Sequence, residues 1–222
     1  MALNKLKFNS LNVTPTASKG IGFNSNADGL EATFEGGNMR FIKKLTASSD
    51  STLSFVDGAS NVVLDNTYKE YIFICNNMHA SSDNSTAQEF EFNMSVDSGS
   101  NYNVTKTTST FRSGHNEGDT TTQLGYLGDY DLAQGTGFQG LTEGDGIDND
   151  QCCSGYIHLL NPSSTTFVKH YTSCFNTYRH NDFSANWFTS GYANTTSAVD
   201  AIQFKFLGGN IDSGTITLYG IN

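Results

Sequence analysis

The sequence is poor in proline, in charged residues and in long apolar runs. Only 2 of its 222 residues are proline, which excludes a proline-rich linker protein. Charged residues make up 15%, where about a quarter is usual in a soluble domain. No apolar stretch is long enough to span a membrane, and residues 1–13 lack the continuous apolar segment of a signal peptide. We therefore expect a protein made in a cytosol, without membrane insertion or export by the usual route.

An excess of basic residues is also missing. The formal net charge is −10 and the sequence pI is about 4.7. Proteins that bind nucleic acid normally carry a basic patch, because they must neutralise phosphates. The charge balance therefore argues against a nucleic-acid partner.

Cysteine and nucleophile motifs are absent as well. The four cysteines, Cys75, Cys152, Cys153 and Cys174, form no Cys-x-x-Cys pair, and adjacent cysteines rarely bond to each other. We expect all four to be reduced. Zinc ligation by Cys152, Cys153, His158 and Cys174 would match no standard spacing, and no Gly-x-Ser-x-Gly elbow occurs. The sequence therefore predicts no metal, no cofactor and no catalytic residue.

The chain is rich in apolar and polar residues that alternate with a period of two. Ile202, Phe204 and Phe206 alternate with polar side chains, as they do in a half-buried β-strand. Serine, threonine, asparagine and glycine, which disfavour helix and supply turns, fill the intervening positions. No convincing helix pattern occurs anywhere.

Strand-like segments recur at intervals of roughly ten residues, a spacing typical of sandwiches and barrels. They cover residues 41–47, 52–56, 60–64, 68–75, 90–96, 102–111, 123–127, 156–160, 165–175, 186–192, 199–207 and 211–221. The glycine-rich residues 112–151 read as a long loop with one strand. The prediction is an all-β fold: an antiparallel two-sheet β-sandwich, jelly-roll-like, with an extended N-terminal arm. Residues 39–222 would form this single domain.

Residues 1–38 differ in texture from the rest. They are predicted to form an arm or an edge strand. The spaced apolar side chains of this segment need a surface to lie against, so we expect it to dock on another protein surface. The predicted docking residues are Leu3, Leu6, Phe8 and Leu11.

Several carboxylates are candidates for metal binding or catalysis. Glu143, Asp145, Asp148 and Asp150 are spaced closely enough for a calcium loop, but they lack the order of an EF-hand. An ordinary acidic surface loop is the favoured interpretation. Asp129 and Asp131 could supply a glycosidase pair, although nothing in the sequence selects them.

An aromatic-rich run contains the best candidate for a binding site. Sugars stack on exposed aromatic rings while amide, carboxylate and guanidinium groups bind their hydroxyls. The competing and favoured interpretation is that Trp187 and Phe188 belong to a strand and fill the core. The candidate glycan-binding residues are Tyr178, Arg179, Asn181, Asp182 and Trp187.

Five segments carry a resemblance to a known family. They resemble structural proteins from tailed phages that infect marine bacteria, including cyanophages, and the similarity runs from about Arg40 to the end of the chain. The segments are FIKKLTAS (41–48), LSFVDG (53–58), VLDNTY (63–68), NPSSTTFVKH (161–170) and GNIDSGTITLYGI (209–221).

The resemblance implies a non-enzymatic virion component, made in the cytoplasm of the bacterial host. We expect it on the surface of the particle, as a head decoration or a tail or fibre part. It would form a homo-oligomer, expected to be a trimer, and contact capsid or tail proteins. The alternative is a fibre or knob tip that binds host surface polysaccharide. A depolymerase is the third and least favoured hypothesis.

Overall fold

The computed structural model describes residues 20–23, 26, 28–34, 38–82 and 88–222. The chain forms two compact units, Met1–Arg40 and Phe41–Asn222. In the first unit, β1 (Gly20–Phe23) and β2 (Leu30–Phe34) pair as an antiparallel hairpin. The predicted docking residues Leu3, Leu6, Phe8 and Leu11 lie outside the described residues, so the docking arm stays a prediction.

The second unit is built from two antiparallel sheets. In the part that the structure describes, regular structure is confined to strands and one short 3-10 turn, Gly128–Tyr130. The small sheet contains, in spatial order, β10 (Gln139–Gly140), β6 (Phe90–Ser95), β14 (Ala201–Phe206) and β4 (Leu53–Val56).

Within the described residues, the large sheet has nine strands. Eight follow one another in space: β3 (Met39–Thr46), β15 (Ile211–Ile221), β5 (Glu70–Ala80), β11 (Cys153–Leu160), β12 (Lys169–Arg179), β13 (Phe183–Ala193), β7 (Lys106–Asn116) and β8 (Thr122–Tyr126). The ninth, β9 (Ala133–Gly135), also pairs with β7.

The sheets pack face to face through aromatic side chains. Phe73 on β5 contacts Phe55 and Phe204 of the small sheet, with ring centroids 5.3 and 5.7 Å apart. Phe92 on β6 meets Tyr171 on β12 at 5.0 Å. The predicted all-β, antiparallel β-sandwich is thereby confirmed, and the jelly-roll assignment stays a prediction.

Two local predictions were wrong. Residues 60–64 do not form a strand: residues 60 and 61 end a turn, and residues 62–64 are irregular. Val62 and Leu64 are buried, but the Leu64 amide donates to Asp57 Oδ1 at 2.8 Å instead of joining a ladder. Residues 112–151 hold more strand than expected, since β7 extends to Asn116 and β8, β9 and β10 follow. Glycine-rich composition concealed these pairings because glycine weakens the strand pattern without forbidding a strand.

Candidate binding face

The outer face of the large sheet is the principal candidate site. The inward residues of β12, β13 and β7 are mostly buried, so the alternate residues point away from the small sheet. None of these outward residues is Asp, Glu, Lys or Arg, in a chain whose net charge is −10. They are Thr107, Ser109, Phe111, Ser113, His115, His170, Thr172, Cys174, Asn176, Tyr178, Ser184, Asn186, Phe188, Ser190 and Tyr192.

Strand register sorts these side chains into rows that cross the sheet. One row joins Tyr126, Phe111, Phe188, Cys174 and Tyr156, each directly opposite the next. Phe111 and Phe188 are stacked, with centroids 4.8 Å apart and an interplanar angle of 11°. Phe111, Tyr126 and Tyr156 are 47%, 67% and 43% exposed. We call these five residues the apolar row.

A hollow of about 400 Å³ lies beside the apolar row. Ser109, Ser190 and Thr172 are directly opposite one another and form its floor. Beyond them Tyr192 and His170 form a ring pair, with centroids 6.0 Å apart. Because the floor side chains are short and both flanking rows contain rings, this is a shallow trough. We call it the trough; its lining also includes Thr107, Thr108, Tyr171 and Gly191.

Most hydroxyls of the trough make no hydrogen bond within the described residues, whereas most polar side chains elsewhere on the face do. Among the hydrogen bonds of the described residues, none involves the hydroxyls of Ser109, Thr172, Ser190 or Tyr192. By contrast, Asn176 Nδ2 donates to the Ser184 hydroxyl at 3.1 Å and to Asn186 Oδ1 at 3.0 Å. The unused donors and acceptors of this face are therefore concentrated in the trough.

The predicted glycan-binding residues are only partly brought together. Tyr178 is half-buried on the outer face, and its hydroxyl donates to Asp182 Oδ1 at 3.2 Å. Asn181 and Asp182 are exposed in the turn between β12 and β13. Arg179 points inward and is 9% exposed.

The role predicted for Trp187 was wrong. Trp187 is fully buried, with Tyr130 against one edge at 5.0 Å and the Arg112 guanidinium 5.1 Å from its ring centroid. It therefore has no free face for a sugar, and the competing core interpretation holds for it. Phe188 follows Trp187 along the strand and so lies on the opposite, outer face.

The acidic loop is only in part a surface loop, since Asp148 and Asp150 are exposed whereas Glu143 and Asp145 are engaged by the large sheet. Glu143 lies 2.5 Å from Arg112 Nη1 and 3.2 Å from Arg179 Nη2. Asp145 is buried and accepts hydrogen bonds from Thr142 and Thr177. Among the described residues, no three His, Cys, Asp or Glu side chains converge as metal ligands. The loop is fastened to the large sheet by two of its carboxylates.

The candidate glycosidase and zinc-binding residues are also hydrogen-bonded within the domain or too far apart to act together. Asp131 accepts from the Thr110 amide at 2.8 Å and from the Tyr126 hydroxyl. Burial raises the pKa of the Cys75 and Cys153 thiols, and Cys153 points inward whereas Cys174 points outward. The zinc set therefore cannot converge. All four cysteines are free.

Lys106 is the most unusual buried cation. Its side chain is fully buried on β7, and Nζ donates to Asn93 Oδ1 at 2.5 Å and to the Val104 carbonyl at 2.8 Å. Burial lowers the pKa of Lys106 to about 7. Because the amine is sealed in the interior, we assign it a structural role.

Glu89 lies close to the acidic loop, and its pKa is raised by burial and by the neighbouring carboxylates. Burial, and then the charges of Glu91, Glu143 and Asp145, raise its pKa from 4.5 to about 7, while a hydrogen bond from Tyr130 acts in the opposite direction. Between pH 4.5 and 7 the folded state then binds more protons than the unfolded state, so stability falls as pH rises. Asp145, with its pKa raised to about 6, acts in the same direction at lower pH.

We expect Glu89→Gln to weaken this pH dependence. The gain at pH 8 should be about 1 kcal/mol, since Glu89 is partly exposed and solvent screens the charges around it. Urea denaturation at pH 5 and pH 8 measures the effect, with the exposed Asp129→Asn as the matched control. An unchanged difference between the two pH values would show that Glu89 is not the group responsible.

Comparison with known proteins identifies no relative: no family model, curated protein or solved structure matches the chain. Among the described residues, no helix is long and apolar enough to cross a membrane.

The sequence did not indicate the trough. Its residues are serine, threonine, histidine and tyrosine at alternating positions of three strands, and no motif links them. Each of the three strands does contain a pattern that points to the site, because its outward positions carry no charged residue. It becomes informative only when the pairing of β7 with β13 is known.

Proposed function

We propose that the chain is a non-enzymatic structural protein of a tailed-phage particle, displayed on the particle surface and assembled as a homo-oligomer. The observation that carries the proposal is the open edge strand β8. Each of its five residues is exposed, and Leu124 and Tyr126 are 81% and 67% exposed. An apolar edge of this kind is an aggregation hazard in a free monomer, and proteins usually protect such edges with charge or cover them.

A second copy of the chain is the occupant that we propose for this edge. Backbone groups on the free side of β8 can pair with a strand of a neighbouring subunit, as in other edge-to-edge assemblies. A hollow of about 330 Å³, lined by Arg112, Thr122, Gln123, Leu124, Gly125 and Leu127, lies beside the same strand. It offers space for an apolar side chain of the neighbour.

Two further observations support a non-enzymatic role. The resemblance of five segments to phage structural proteins carries no catalytic motif. In addition, the carboxylates Glu143, Asp145 and Asp131 all serve hydrogen bonds or ion pairs within the domain. The apolar arm of residues 1–38 is proposed to dock on capsid or tail proteins.

The oligomer is tested with Leu124→Lys, which places a charge on the β8 edge. We expect the native chain to be a trimer and the variant to dissociate at least about tenfold more readily, since a lysine on an edge strand opposes pairing. Sedimentation velocity over a range of concentrations measures this. Phe167→Lys, at a loop position that is 68% exposed, is the matched control.

A native chain that is monomeric at every concentration would contradict assembly through β8, as would a Leu124→Lys variant with the native mass. The virion role is tested separately by mass spectrometry of purified particles of the phage that encodes the chain. Absence of the protein from those particles would exclude it.

A further inference from the structure

We propose that the trough binds a neutral polysaccharide. This site is separate from the β8 edge, and the inference does not depend on the virion role. The ligand would lie across β7, β13 and β12, with its hydroxyls on the floor and its apolar ring faces against the walls.

The lining of the trough has the two properties that a carbohydrate requires. Sugars present hydroxyl groups around their rim and C–H groups on their faces, so they are held by hydrogen bonds together with aromatic contact. Ser109, Ser190 and Thr172 supply hydroxyls that are not used within the domain. Tyr192 supplies both a ring and a phenolic hydroxyl. On the other side of the floor, the stacked Phe111 and Phe188 follow in the next outward row of β7 and β13.

The spacing of the aromatic rows on either side of the floor suits a chain of sugar rings. Phe188 and Tyr192 are four residues apart on β13, so their Cα atoms are about 13 Å apart at the usual rise of a strand. The floor row lies midway between them. A volume of about 400 Å³ is within the range of small-molecule sites, and the trough is open at the surface. An extended polymer can therefore pass through it.

Charge selects a neutral ligand. The outward positions of β7, β12 and β13 carry no Lys or Arg that could neutralise a uronic acid or a sulfate. The chain as a whole has a formal net charge of −10, which repels acidic polymers at low ionic strength. A neutral polysaccharide needs no counter-charge from the protein and is not repelled by its negative charge.

A second protein copy fits the trough less well. The cores of protein interfaces are depleted in serine and enriched in tightly packed aromatic and apolar side chains. Covering the free hydroxyls of Ser109, Ser190 and Thr172 with an apolar surface would leave them buried and unpaired, which opposes binding. Sugar hydroxyls would pair with them.

One end of the trough is already closed by protein groups. Gln134 Nε2 donates to the Thr107 hydroxyl at 2.6 Å, and Asn194 Nδ2 donates to Gln134 Oε1 at 2.6 Å. Thr107 is therefore occupied, which leaves Ser109, Thr172 and Ser190 as the hydroxyls that bind the ligand.

Affinity electrophoresis of the purified native chain tests the proposal. The gels contain dextran, mannan, laminarin or galactan as neutral probes and alginate as the acidic probe. We expect at least one neutral polymer to retard the protein and alginate to have no effect. If all four neutral polymers leave the mobility unchanged, the proposal is overturned.

Variants locate the site. Tyr192→Ala should weaken binding about tenfold through loss of the ring contact, and the double variant Thr172→Val with Ser190→Ala by a similar factor through two lost hydrogen bonds. Phe41→Ala, a 63% exposed aromatic on β3, is the matched control and should bind as the native chain does. Thermal unfolding checks that each variant is folded.

Sedimentation of the same variants separates the two proposals. The trough variants should keep the native oligomer, and Leu124→Lys should still bind the polymer with the contacts of a single subunit. If Tyr192→Ala changes the oligomeric state and not the binding, the face is a contact between copies and the polysaccharide proposal is wrong. Equal binding by native chain and folded trough variants would exclude the trough as well.

Discussion

Phe204→Ala is expected to destabilise the sandwich by about 4 kcal/mol, the largest effect of any single substitution proposed for this chain. Phe204 is fully buried at the centre of β14. Its ring meets Phe55 at 6.4 Å, Phe73 at 5.7 Å, Phe90 at 5.9 Å and Phe92 at 6.3 Å between centroids. Removal of the ring leaves a cavity that four large side chains on three other strands cannot all close.

Urea denaturation at pH 7 measures this loss as a change in the midpoint at constant slope. Phe167→Ala is the matched control, because Phe167 is 68% exposed in a loop and should change stability by less than about 0.5 kcal/mol. If Phe204→Ala lowered the free energy of unfolding by less than about 1 kcal/mol, the Phe204 ring would not be packed between the two sheets as described. Domains are stable by only about 5–15 kcal/mol, so partial unfolding of the variant at 25 °C is an expected result too.

Glu143→Gln is expected to cost about 2–3 kcal/mol. Glu143 is the shared carboxylate between Arg112 on β7 and Arg179 on β12, and the three side chains are only 19%, 14% and 11% exposed. The amide keeps the shape but removes the charge, which leaves two partly buried guanidinium groups without a counter-ion. The loss exceeds that of a surface ion pair, because removing one partner strands the other charges in a poorly solvated site.

Thermal and urea unfolding at low and high salt measure the effect. Glu117→Gln, at an exposed position of the loop after β7, is the matched control and should be close to neutral. If Glu143→Gln and Glu117→Gln unfold alike, the Arg112–Glu143–Arg179 group does not stabilise the fold. Hydrogen exchange adds a local readout, since amides of residues 141–151 should lose protection before those of the small sheet.

The proposed roles use different parts of the large sheet. The β8 edge offers unpaired backbone groups and the exposed Leu124, which suit a neighbouring protein subunit. The trough offers free hydroxyls and rings without charge, which suit a neutral sugar polymer. An assembled particle protein would present the trough on every copy, so one polymer that engages several troughs at once would be held much more tightly than by a single trough.

The alternation of apolar and polar residues was sufficient to predict the fold class. Ile202, Phe204 and Phe206 were expected to share a buried face, and all three are buried in the small sheet. The same reasoning fails for 60–64, where Val62 and Leu64 are buried without forming a strand. The periodicity predicts which side chains are buried, but it does not require a strand. Here an irregular backbone buries the same side chains, because Asp57 accepts the hydrogen bond of the Leu64 amide.

The candidate site was less accessible to prediction. In the sequence, Trp187 and Phe188 stand side by side in an aromatic-rich run. Because neighbouring residues of a strand point to opposite faces, only Phe188 lies on the outer face. Tyr178 lies near the end of β12 on its outer face, and Asn181 and Asp182 lie in the turn between β12 and β13. Arg179, in contrast, points inward and pairs with Glu143.

The sequence by itself determined the class of fold, the inward face of most strands and the scarcity of charge. These are local properties, set by the two-residue period of each strand and by composition. Only the tertiary structure decided that Ser109, Ser190 and Thr172 share one row and that Glu143 meets two arginines. The reason is physical: register between strands far apart in the chain depends on long-range packing and hydrogen bonding, and a shift by one residue would turn every side chain to the other face.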